Sequence, residues 1–285
     1  MAHVHAAQEN LATALKLADD SRQTLRGTGA QGRIAALNLE VADLKLLAGD
    51  LNAAQKLYEE ALQIFLQAGQ EFDTSFSLFG LGDILLARDD LLGARKQHEA
   101  ALSLRRKDHG AVRVLFDSRI RTAQLSLEEG RPYDAESGVR EALKEYAAGE
   151  EPEARIEADT VLVQALLAQE KLAEAQQVVA GDQERLANTE DRVNLLRLRI
   201  LKAEVESQAG SFGDAMGSLQ ACVEESRRSG MGGLHFEARL ALGQAEMRLG
   251  KLVAGRANLS SLERDAKAKG FLLIARKAAT ARRHS

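Results

Sequence analysis

The sequence predicts an all-α protein: a solenoid of about six antiparallel helical hairpins, with a half-unit at each end. Three observations carry this. The composition is rich in Ala, Leu, Glu, Lys, Arg and Gln, which are good helix formers, and holds only two prolines. A small residue returns at a nearly constant step: Ala54, Ala94, Ala135, Ala175, Ala215 and Gly255 stand 40, 41, 40, 40 and 40 residues apart. Twelve residues before each stands a second marker, Ala42, Gly82, Ala123, Val163, Ala203 or Gly243, five of the six being Ala or Gly.

The segments on either side of each marker pair are amphipathic at helical spacing. Leu78, Leu81 and Leu85 make one stripe, and Leu57, Ala61, Leu62 and Phe65 make another. Between the markers lie turns such as Ala48-Gly49-Asp50, Glu129-Gly130-Arg131 and Leu249-Gly250-Lys251. Glycine supplies a positive φ there, and aspartate caps the next helix. Two helices cross closely only where small side chains meet, so a marker on each helix, one turn apart, reads as a hairpin. One hairpin cannot bury both its faces, so the units must stack.

Taken in order, the elements are a half-unit at 6–26 and hairpins at 34–68, 72–107, 112–147, 153–187, 192–228 and 234–269. A capping helix follows at 271–283, and the whole chain, 1–285, reads as a single solenoid of about 14 helices. The opening segment AAQENLATALKLADD matches AAQKLYEEALQIFLQ, the second helix of a unit, so the chain opens on half a hairpin. That start suggests a piece of a longer polypeptide, with a natural capping helix as the alternative. The closing segment GFLLIARKAA resembles the start of GGLHFEARLAL and reads as one helix covering the last hairpin. Arg282, Arg283 and His284 suit a helix C-terminus.

The markers resemble the tetratricopeptide repeat. LFGLGDIL supplies Leu78, Leu81, Gly82 and Leu85, with leucine in place of both aromatics, and Ala54 followed by Tyr58 keeps the Ala-to-aromatic step. The resemblance covers residues 34–270. The unit of 40 exceeds the family's roughly 34, which implies longer helices, and no unit carries the closing proline. The resemblance implies a right-handed superhelix, a non-catalytic scaffold that binds a protein or peptide partner, and the C-terminal sensory or adaptor part of a larger bacterial regulator or kinase. An alternative is a structural module that self-assembles by stacking its terminal half-units through Leu273 and Ile274.

In that family the first helix of each hairpin lines a concave groove. On this chain the corresponding apolar ladder is Leu39, Phe79, Ile120, Thr160, Ile200 and Leu240. Four residues on, and so on the same face, runs a polar ladder of Asp43, Asp83, Gln124, Gln164, Glu204 and Gln244. Amides can donate to and accept from a peptide backbone, and apolar neighbours can take its side chains. Phe76 with Phe79 makes an aromatic hot spot, and Arg121 adds a cation. The acid-rich ladder favours a basic or amide-rich ligand.

Other motifs fail for physical reasons. GTGAQG at 27–32 spells G-x-G-x-x-G, but a helical segment precedes it, and dinucleotide binding needs a strand there. His98-Glu99 starts a zinc-protease pattern whose second histidine is missing. His98 stands where Tyr58 stood and reads as packing. His3 and His5 fall in a terminus that is expected to fray. No metal site, cofactor or catalytic set is expected, and the chain is read as no enzyme. Arg105, Arg106, Lys107, Arg113, Arg119 and Arg121 could hold phosphate, but a net charge of −4 and 4% aromatics argue against nucleic acid. No apolar run is long enough to span a membrane. The lone Cys222 falls in a packing position seven after Ala215. A cytoplasmic monomer, or one with weak end-to-end association, is the expectation.

Overall fold

The computed structural model describes residues 11–26, 29–105, 112–145, 152–185 and 191–283. Fourteen helices stand in order among them: α1 (Leu11–Arg26), α2 (Gln31–Leu47), α3 (Leu51–Ala68), α4 (Glu71–Ala87), α5 (Leu91–Arg105), α6 (Val112–Glu128) and α7 (Pro132–Glu145). They continue with α8 (Pro152–Ala168), α9 (Leu172–Arg185), α10 (Arg192–Gln208), α11 (Phe212–Arg228), α12 (Gly232–Arg248), α13 (Leu252–Lys269) and α14 (Leu272–Arg283). Each helix packs on the next, and no strand occurs among the described residues.

The turns explain the hairpins. At the end of α2, Gly49 adopts φ 82°, and its N–H donates to the Leu46 carbonyl while Asp50 N–H donates to that of Lys45. This closes the free carbonyls of the helix end. The Asp50 carboxylate then accepts from Ala53 N–H at 3.1 Å and starts α3. The other five hairpin turns repeat the left-handed residue, with Gly130, Gly210 and Gly250 at three of them. Asp89 and Glu170 fill the remaining two at φ 63° and 61°, a conformation that costs a non-glycine residue about 1–2 kcal/mol. Pro132 and Pro152 stand at the first position of α7 and α8, where a missing N–H costs nothing.

The small markers meet where the spacing placed them. Ala42, Ala54, Ala94, Ala135, Ala175, Ala203 and Ala215 are fully buried. Val163 is fully buried as well, and so is Asp182, which stands seven residues after Ala175 where other units have Ala61, Ala101 and Ala142. Beside Gly82 there is no room for a side chain: a Cβ would lie 2.3 Å from the His98 ring. Gly80, which the spacing did not single out, is as tight, with its Cβ position 2.3 Å from the Tyr58 ring. Cys222 is fully buried among Ala215, Leu219 and Ala238, and burial raises its thiol pKa.

The first helices of the hairpins form the inner layer, with α2 against α4, α6 against α8, α8 against α10 and α10 against α12. The array then closes on itself. α12 packs on α2, and the Gly232 backbone lies so near the first turn that a Cβ there would sit 2.5 Å from the Ala48 carbonyl oxygen. One apolar cluster accordingly holds Val41, Leu44 and Leu51 from the start of the chain with Phe236, Met247 and Phe271 from its end.

The last helix reaches further than the last hairpin. α14 covers α13 as a cap should, but it also reaches α4, 185 residues and more upstream. Leu273 is buried with Leu86, Ala94 and Leu125, and Ile274 turns into the interior. Leu273 is thus buried inside the chain, and Ile274 is half-buried beside the interior.

Candidate functional site

The inner helices enclose a cavity of about 350 Å³, lined from α4, α6, α8, α10, α12 and α14. That volume falls at the lower end of small-ligand sites. Of the two ladders, Asp83, Ile120, Gln124, Thr160, Gln164, Ile200, Glu204 and Leu240 line it, together with Arg121. On α6, α8 and α10 both ladders face inward, because residues four apart on a helix share one face.

Leu39, Asp43, Phe79 and Gln244 do not take part. Leu39 packs partly buried on the cores formed by α2 and α3. Asp43 accepts a hydrogen bond from the buried Tyr58 hydroxyl. Phe79 is 3% exposed: it sits against His98 at 5.8 Å and beneath the Arg121 guanidinium at 4.8 Å. It supports a wall residue and does not offer an aromatic face. Phe76 stays at the surface, edge to face with Phe72 at 5.0 Å and away from the cavity. Gln244 is half-buried and does not line it.

A further rung was missed. Asp117, Glu157, Arg197 and Glu237 each lie three residues before an apolar rung, at a step of 40, and all line the cavity. Carrying the ladder one turn toward each helix N-terminus would have found them, because i−3 is on the same face. Glu128, at the end of α6, and Phe271, Leu273, Ile274 and Lys277, at the end of the chain, complete the wall. No periodicity within the repeats reveals this last group, since it arrives only through closure of the superhelix.

The charges are unequal. Six carboxylates, Asp83, Asp117, Glu128, Glu157, Glu204 and Glu237, face three cations, Arg121, Arg197 and Lys277. Asp83 is committed: Arg121 donates to it through Nε and Nη2 at 2.9–3.1 Å, and His98 Nε2 lies at 3.1 Å. Burial alone would raise the Asp83 carboxyl, but Arg121 and the His98 hydrogen bond hold it down at about 2. Glu128 is committed too, in an ion pair with Lys277. Glu204 stands otherwise. Burial, and then the neighbouring charge of Glu237, push it up to about 7, against the smaller pull of Lys277 and Arg248. Burial likewise raises Glu237, against Arg197 and Lys277. The concave face therefore holds more than the scattered, solvated carboxylates expected of an inert groove.

Of the basic group read from the sequence, the side chains of Arg119 and Arg121 are described, and those of Arg105, Arg106, Lys107 and Arg113 are outside the described residues. Arg119 pairs with Glu145, and Arg121 turns inward to Asp83. Arg106 and Lys107 lie outside the described residues, as do His3, His5, His284, Gly27 and Thr28. His98 is 1% exposed and is spent on Asp83, as packing at the hairpin requires. No helix of the described residues is long and apolar enough to cross a membrane. No described group of three His, Cys, Asp or Glu side chains is placed to hold a metal ion.

Comparison with known proteins places the fold. The tetratricopeptide repeat family model matches residues 32–107. Among solved structures, a Rap protein complexed with competence and sporulation factor superposes with a TM-score of 0.68 at 17% identity, over 95% of this chain and 72% of the other. Aspartyl phosphate phosphatase F from Bacillus subtilis gives 0.55 at 12% identity, over 92% and 73%. A signal transduction ATPase with a tetratricopeptide repeat sensor, from Pyrococcus horikoshii, gives 0.56 at 12% identity, and this chain spans 94% of itself but 42% of that protein. No curated protein sequence matches the chain.

Proposed function

As a protein built of tetratricopeptide repeats, this chain is, we propose, a non-catalytic scaffold that binds a peptide of basic character in its concave cavity. The observation that carries the reading is the cavity wall: apolar rungs at Ile120, Ile200 and Leu240 beside carboxylates that outnumber the cations two to one. Apolar rungs would receive side chains, Gln124 and Gln164 would bond a backbone, and Glu157, Glu204 and Glu237 would attract Lys or Arg. A preformed wall on packed helices costs little ordering on binding. The Rap protein of the same fold is itself complexed with a factor, which supports ligand capture by this architecture.

Catalysis is the weaker reading. Among the described residues lining the cavity there is no histidine, cysteine or serine, and the Thr160 hydroxyl is spent on the Ile156 carbonyl at 2.7 Å. Among the described lining residues no side-chain nucleophile stands beside the raised carboxyls of Glu204 and Glu237. The signal transduction ATPase named above, whose tetratricopeptide repeats form a sensor, supports a place in signalling for this chain too.

A peptide array of graded net charge tests the binding reading. The chain should retain peptides with Lys or Arg beside apolar residues, and Glu157→Lys/Glu204→Lys should weaken them at least ~10-fold, as loss of two charge pairs implies. Retention of acidic peptides, or binding untouched by the double substitution, would overturn it.

A further inference from the structure

The six walls of the cavity follow one another in a ring: α6 packs on α8, α8 on α10, α10 on α12, α12 on α14 and α14 on α4, and Arg121 of α6 closes the circle on Asp83 of α4. Charge is spent in one half of this ring. Asp83 and Arg121 join α4 to α6, Glu128 and Lys277 join α6 to α14, and Arg276 of α14 donates to Asp89, in the turn after α4, at 2.7 Å. Asp117 of α6 acts on the Arg121 cation as well, and so does Glu157 at the border with α8. Leu86, Ala87, Ile120 and Ile274 line this half, so an aliphatic group buries there against other aliphatic groups.

The other half holds charge that is not spent. No ion pair among the described residues joins α8, α10 and α12: Arg199 and Arg239 turn outward to Glu225 and Asp265 on the second helices of their hairpins, and Arg197 donates to Asn194 at 3.1 Å. Glu204 of α10 feels the charge of Glu237 of α12, and neither bonds a cation among the described residues. Two carboxylates with no counter-ion between them repel, and one cation placed between them relieves both. Ile200 lies four residues before Glu204 and Leu240 three after Glu237, on the same helix faces. They are placed to cover the aliphatic stem of that cation.

We propose that the cavity takes its ligand in one orientation: a single ammonium or guanidinium enters between Glu204 and Glu237, with its stem on Ile200 and Leu240, while an adjoining aliphatic group lies against α4, α6 and α14. In a peptide this is one Lys or Arg beside a Leu-like residue. The proposal rests on the peptide-binding reading and adds to it that one cation, not two, is what the wall fits. A second cation would enter the half where Arg121 and Lys277 already neutralise the carboxylates, and would give up its hydration for no partner. The volume of about 350 Å³, at the low end of small-ligand sites, also limits the contact to a few side chains.

The test titrates the full chain into three fluorescein-labelled peptides that share Gly-Ser flanks and carry the central pairs Leu-Lys, Lys-Lys and Leu-norleucine, followed by anisotropy. Leu-Lys should bind at least ~10-fold more tightly than either of the others, the worth of one charge pair. Glu204→Gln/Glu237→Gln should bring Leu-Lys down to the level of Leu-norleucine. Gln124→Glu, which sets an unpaired carboxylate on α6 at unchanged size, should act the other way and tighten Lys-Lys roughly 10-fold, a gain that misfolding does not produce. The orientation is overturned if Lys-Lys binds the unaltered chain as tightly as Leu-Lys, if Gln124→Glu brings it nothing, or if none of the three peptides is held. If array peptides still depend on Glu157 and Glu204 in that case, the peptide-binding reading stands without it. If the array shows no such dependence either, both fall.

Discussion

Glu204 shows what a solvated-looking residue becomes inside a closed ring. On one exposed helix it would titrate as an ordinary carboxyl; here burial and Glu237 raise it to about 7. Its folded value lies above its unfolded one, so the folded chain keeps a proton that the unfolded chain has released. This group therefore costs nothing below about pH 4.5, and its cost grows as pH rises to about 7 and is full above that. Glu204→Gln should accordingly raise the melting temperature by a few degrees at pH 8, an effect of about 1–3 kcal/mol, and change it little at pH 4.5. An equal gain at both pH values would mean that the effect is not titration. Binding of a cationic peptide should run the other way, strengthening as Glu204 ionises between pH 6 and 8, and a flat affinity across that range would remove Glu204 from the contact.

At the scale of the helix pair, small residues decide how near two axes come. Gly82 against His98 joins the helices of one hairpin, and Gly80 against Tyr58 joins that hairpin to the one before. Tyr58 cannot swing away freely, because it is 2% exposed and its hydroxyl is held by Asp43. Gly80→Ala should thus cost about 1–3 kcal/mol through overpacking, against the gain of up to ~1 kcal/mol that alanine usually brings to a helix interior. Thermal denaturation reads the sign directly: a stabilised variant would mean that α3 and α4 are not in contact there. Gly82 was legible in the sequence because it falls in the repeat's register. Gly80 was not, since only the packing of neighbouring units tells which side of α4 faces Tyr58.

Over the whole molecule the decisive contact is the one between the ends of the array. Gly232 lies on the first turn with no space for a side chain, and the obstruction is backbone, which cannot rotate out of the way. Gly232→Leu should force α12 off α2 and open the ring. The expected result is a larger radius of gyration by small-angle X-ray scattering at unchanged helix content, with a cost of about 1–3 kcal/mol. An unchanged radius would mean that the ring tolerates the insertion and that closure does not hang on this approach. Opening should also release the constraint on α14, since Arg276 and Lys277 bridge from the last unit to the ends of α4 and α6.

The sequence by itself determined the helices, the turns, the forty-residue unit and, on five of the six first helices, which face turns inward. All of these follow from local rules: helical periodicity, glycine's freedom at positive φ, and small residues at close crossings. Eight of the twelve ladder residues were therefore legible as wall residues, and the rung at Asp117, Glu157, Arg197 and Glu237 could have been read by the same rule. Only the tertiary structure decided that Phe79 supports Arg121 from behind, that Asp83 is already spent, and that α14 crosses to the far side. The physical reason is that small rotations between successive units add up. No single unit contains the sum, yet the sum sets which distant residues meet and how much water remains around a carboxylate.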